Sequence, residues 1–171
     1  MRKLIHVALI GAVFAAAAAG AQTPADQAQN KAVIRAHDTH DMSRAVAASL
    51  TPLKAPADAR VFIISPKDGA KVGRDVKVEF GVHGIALKPA SEGDTSANSG
   101  HHHLLIDVDK LPPLDRPVPA DEYHKHYGNA QTGDVLHLSP GTHTLQLDFA
   151  DARHMQFDPP IVSKKITIHV K

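Results

Sequence analysis

VKVEFGV, residues 76–82, alternates without a break: Val76, Val78, Phe80 and Val82 fall on one side, Lys77 and Glu79 on the other. A period of two marks a strand with one buried face. β-Branched and aromatic side chains suit that pleated surface. The same grammar returns in THTLQLDF, residues 142–149, where His143, Leu145, Leu147 and Phe149 share a side. It closes the chain in Ile161–Val170, with Ile166, Ile168 and Val170 inward and Thr167 and His169 outward. RVFIIS (60–65), HHHLLID (101–107) and VLHL (135–138) supply further strands. Turn residues punctuate them: Pro66-Lys67-Asp68-Gly69, Pro140-Gly141, and the break expected at Asp158-Pro159-Pro160. Ile85–Gly100 reads as a polar loop, and Lys110–Ala120, with four prolines, as a stretch that no sheet interior accepts. Roughly six or seven short strands at this spacing, with no helical period between them, predict an all-β domain over residues 57–171. The architecture expected is an immunoglobulin-like β-sandwich.

The residues before it have a different character. Met1-Arg2-Lys3 is a basic start, Leu4–Ala19 an apolar run, and Ala19-Gly20-Ala21 a small-x-small cleavage site. These parts make residues 1–21 a signal peptide cleaved after Ala21, and predict a periplasmic or secreted protein without a membrane span in its mature form. Residues 22–56 read as a helix-like tether, with a helix expected over 25–50 and a Pro/Ala linker over 51–58. In that helix His37, His40 and Asp41 share one face, a pattern that suits a solvated surface better than a metal site.

Composition narrows the function. Lys and Arg number 19 and Asp and Glu 18 in 171 residues, a net charge of +1 that offers no footprint for nucleic acid. Cysteine is absent, which excludes thiolate metal sites, iron–sulfur clusters and cysteine nucleophiles. Histidine is the outlier, with 13 residues. No G-x-S-x-G, H-E-x-x-H or glycine-rich phosphate loop occurs.

Two H-x-H pairs concentrate the histidines. In an extended strand His101 and His103 share a face, while His102 turns away with Leu104 and Ile106. Same-face residues lie nearly 7 Å apart at the backbone, so two imidazoles there are able to lean onto one ion. His124 and His126 repeat the spacing after the proline-rich loop. If that loop folds back over the 101–107 strand, four neutral imidazoles converge, a set suited to Cu(II) or Zn(II). The competing reading is a polar network, in which histidines bonded to Asp107, Asp109, Asp121 or Glu122 hold the loop down without a metal. His143 is expected at a core edge, as a fifth group or an outer hydrogen-bond donor. His154, beside Met155, is expected in a solvated loop, and His83, His137 and His169 at the surface.

These passages also resemble a family. VFIISPKDGAKV from Val61, NSGHHHLLIDVD (98–109), LPPLDRPVPADEYHKHYGNAQT (111–132) and LSPGTHTLQLDFADARHMQFDPP (138–160) are similar to a bacterial family of exported domains catalogued as domain of unknown function 4399. The resemblance implies a secreted, histidine-rich domain and carries no activity with it. The family's pattern includes the 101–103 triplet, the 124/126 pair and His143. Its members often read H-x-x-H-D-P-P near the last loop; here His154 is kept, but Phe157 stands at the second position.

The resulting expectation is an exported binding module that holds Cu(II) or Zn(II) through His101, His103, His124 and His126, with His143 nearby. Its affinity is expected to fall as pH drops through the histidine range. The alternative is a structural or interaction domain of the cell envelope that meets a protein partner through residues 111–132. A small metalloenzyme is the third reading.

Overall fold

The computed structural model describes residues 50–171. The expected signal peptide, and all but the last residue of the 25–50 helix with His37, His40 and Asp41, lie outside them. Ten strands follow one another: β1 (Arg60–Ser65), β2 (Ala70–Val72), β3 (Asp75–His83), β4 (Ala86–Leu87), β5 (Ser99–Ile106), β6 (His124–Tyr127), β7 (Gly133–His137), β8 (Gly141–Ala150), β9 (Gln156–Val162) and β10 (Ile166–Val170). One sheet has the order β1-β3-β7. The other runs β2-β10-β8-β5-β4, with β6 also paired to β5 and β9 to β8. Among the described residues a three-residue 3-10 turn at Ala90–Glu92 is the one helical element. No helix among them is long and apolar enough to cross a membrane.

The alternating residues meet in one apolar core. Val61, Val76, Val78, Phe80 and Leu136 come from the smaller sheet; Leu104, Ile106, Leu145, Leu147, Phe149, Ile166 and Ile168 come from the larger. Burying such side chains is worth about 1.5–3 kcal/mol each, which is what fixes the strand registers. Leu53 and Ala55, in the stretch read as a linker, pack against this core. The Ala55 N–H donates to the Asp158 carbonyl and the Asp158 N–H to the Leu53 carbonyl, at 3.0 and 2.8 Å.

Asp158-Pro159-Pro160 was expected to break the chain, yet it lies inside β9. β9 pairs with β8 only through Gln156, Ile161 and Val162, and the register shifts between them. The prolines occupy the bulged part, where no ladder hydrogen bond is asked of them. The expected closing strand 161–170 is thus two strands, separated by residues 163–165. β2, β4 and β6 are further strands beyond those expected, each of four residues or fewer.

Candidate metal centre

β5 lies inside the larger sheet, with β8 along one edge and β6 and β4 sharing the other. Its period of two sends His102, Leu104 and Ile106 into the core. The His102 ring stands edge-on to Phe80 and Phe149 at centroid distances of 5.3 and 5.2 Å. His101, His103 and Leu105 take the opposite face. The register then selects their neighbours. His126 of β6 is directly opposite His103 on one side, and Asp148 of β8 directly opposite it on the other.

The turn after β8 adds a fourth imidazole. The buried Asp151 carboxylate accepts hydrogen bonds from the Arg153 and Met155 N–H groups at 2.8 and 3.1 Å, and from the Arg153 guanidinium at 2.6–2.9 Å. The His154 N–H donates to the Asp151 carbonyl at 2.8 Å, and His154 takes a left-handed φ of 64°. This tight turn brings His154 back over β5 and β6. The proline-rich stretch is tied to the same turn: the Val118 N–H donates to the His154 carbonyl at 2.8 Å, and Gln156 Nε2 to the Pro112 carbonyl at 2.7 Å.

The four rings lie against one another, and their Nε2 atoms meet in two pairs. His101 Nε2 and His103 Nε2 are 3.1 Å apart, as are His126 Nε2 and His154 Nε2. Ring centroids of His101, His103 and His126 are 5.0–5.1 Å apart. His154 lies 4.8 Å from His126, 5.0 Å from His101 and 5.9 Å from His103. One nitrogen from each of His101, His103 and His126 falls within 4.8 Å of the others, a group that could hold a metal ion. His101 and His103 are fully buried, and His126 is exposed.

Burial sets the protonation. Desolvation, reinforced by the neighbouring imidazoles, lowers His101 to about 3 and His103 to about 2. His126 is lowered by the same two causes. The buried rings are therefore neutral near pH 7, the form that ligates a metal. The Nδ1 atoms of His101 and His103 have no hydrogen-bond partner. Burial pushes the Asp148 carboxyl up to about 7, while the Phe149 N–H pulls weakly the other way without reaching hydrogen-bond geometry.

The remaining histidines are engaged elsewhere. His124 sits opposite Leu105, one alternation further along β6, and its Nδ1 is held by Asp121 Oδ1 at 2.8 Å. His143 Nδ1 lies 2.7 Å from Asp107 Oδ2, and its Nε2 lies 2.9 Å from the Ser139 carbonyl. Both nitrogens are thus turned to oxygen acceptors, and the Asp107 hydrogen bond raises the His143 pKa above that of an ordinary histidine. His83, His137 and His169 are exposed, as expected.

The two H-x-H pairs thus contribute His101, His103 and His126 to the cluster, without His124 or His143. The sequence reading placed His154 in a solvated loop and did not single out Asp148. The missing half of the family's H-x-x-H pattern, Phe157, had counted against His154, although its kept half was the available signal; an outward acid on a strand resembles any solvated side chain. No curated protein and no solved structure matches the chain. The model of one family, a domain of unknown function (DUF4399), matches residues 78–171. That span takes in β5, β6, β8 and the turn at His154, hence every histidine of the cluster, and the chain belongs to this family.

Proposed function

We propose that this protein is an exported, periplasmic or secreted β-sandwich of immunoglobulin-like shape that binds one Cu(II) or Zn(II) ion. His101, His103 and His126 are its ligands, and His154 is the fourth. The observation that carries this reading is the pairwise approach of Nε2 atoms at 3.1 Å. Four nitrogens at Zn–N distances of about 2.05 Å stand about 3.3 Å apart along each tetrahedral edge. Without an ion, a neutral pair at 3.1 Å shares one proton at most. The donor set contains no thiolate, and four imidazoles suit Cu(II) and Zn(II), with Cu(II) bound more tightly by the general order of affinities. Such a module captures or buffers the ion.

The polar-network reading accounts for His124 on Asp121 and His143 on Asp107. It does not account for the cluster, where a network would pair the Nδ1 atoms of His101 and His103 and leaves them bare. The test is calorimetric titration of Cu(II) and of Zn(II) into tag-free protein near neutral pH, beside His103→Ala. The expected result is one-to-one binding tighter than about micromolar, lost in the variant. Weak uptake of many ions, unchanged by the substitution, would overturn the reading.

A further inference from the structure

Asp148 is fully buried, and neither of its carboxylate oxygens has a hydrogen-bond partner. An apolar side chain in its place would leave no bare acceptor in a dry interior. Its neighbours in β8, Leu147 and Phe149, point into the core. Alternation therefore puts Asp148 on the face that carries His101 and His103, where it stands directly across the ladder from His103. Directly opposed residues hold their Cβ atoms about 4.5–5.5 Å apart, so a small side-chain rotation joins a carboxylate to an imidazole. On His103 the nitrogen left over is Nδ1: buried, unpartnered, and on the other side of the ring from the Nε2 that faces His101.

We infer that Asp148 is a positioning residue of the metal site. With a divalent ion in place, its carboxylate accepts the Nδ1–H of His103, fixes that ring with its Nε2 lone pair toward the ion, and sets a negative charge beside the cation. This rests on the metal reading above. It explains why a carboxylate occupies a strand position that an apolar residue would fill at less cost. A metal-ligating histidine commonly donates its second ring N–H to a carboxylate, and removing that acceptor lowers metal affinity about 10–100-fold.

The experiment is Zn(II) and Cu(II) titration of the whole chain as wild type, Asp148→Asn and Asp148→Leu, with melting curves of each in chelator. A Cu(II) electron paramagnetic resonance spectrum of each variant reports the ligand field directly. The expected outcome is a split: affinity falls about 10–100-fold in both variants, the Cu(II) spectrum shifts, and metal-free melting rises in Asp148→Leu. Two results overturn the inference and leave the metal reading standing. One is tight wild-type binding with unchanged affinity in both variants. The other is lower metal-free melting in both variants with an unshifted Cu(II) spectrum, the mark of a brace for the fold. A wild-type chain that binds neither ion overturns the metal reading, and this inference with it.

Discussion

His102 has both ring nitrogens buried in the core and neither is paired. Its edge-on contacts with Phe80 and Phe149 hold the ring, but an unsatisfied buried polar group costs about 1–3 kcal/mol. Desolvation keeps it neutral by lowering it to about 4. His102→Leu is expected to raise stability by about 1 kcal/mol in chemical denaturation. Metal affinity should stay unchanged, because the ring faces away from His101 and His103. Loss of metal binding in this variant would show that the site reaches through the sheet. Alternation alone had separated His102 from its two neighbours, since a strand's period admits no other arrangement. Alternation could not say what His101 and His103 would meet. That depended on His154, delivered by a left-handed turn, and on Asp148, which stands opposite His103 on another strand.

At the scale of elements, the decisive one is β6. Its four residues, HKHY, are too short to show a period, so the sequence presented them as part of a loop. Pairing with β5 is what makes them a strand, and the register puts His126, not His124, beside His103. The end of β6 explains how the His126 ring is aimed. A Cβ on Gly128 would land on Cε1 and Nε2 of His126, so the ring lies back over the glycine. Gly128 has no positive φ to forbid another residue. Gly128→Ala should therefore push the exposed His126 ring aside, with a stability change within about 0.5 kcal/mol. Paired calorimetric titration and thermal melting are expected to show metal affinity reduced at least about tenfold with melting preserved. Equal affinity in the variant would mean that His126 is not a ligand. The long alternating strands were readable because burial of one face imposes a period on at least five residues. β2, β4 and β6 were not, because neighbours distant in sequence define them, and the prolines of β9 were misread because a bulge excuses them from the ladder.

For the whole molecule, the buried groups couple stability to pH in opposite senses. His101, His102 and His103 have folded values below that of a free histidine. Below about pH 6.5 the unfolded chain takes up their protons and the folded one does not, so each removes about 1.4 kcal/mol of stability per pH unit as pH falls toward its folded value. Asp148 is raised to about 7, so acidification from there stabilises the folded state until the unfolded carboxylate also protonates. Three of these buried groups act against one, so metal-free protein is expected to lose stability as pH falls through about 5. The same depression changes the expectation for the metal. Four ordinary histidines are all neutral in only about one molecule in fifteen thousand at pH 5.5, which would weaken binding several thousandfold relative to pH 7. Here His101 and His103 stay unprotonated well below that pH, and His126 is lowered as well. While the domain remains folded, the loss of Zn(II) affinity between pH 7 and pH 5.5 is expected to be about tenfold smaller, or more, than that of four free imidazoles, in contrast to the loss that the sequence alone suggested. Competition against a chelator of known pH dependence, with circular dichroism to verify folding at each pH, measures it. The full several-thousandfold drop in a chain that is still folded would mean that the cluster opens to solvent and titrates as free imidazole does.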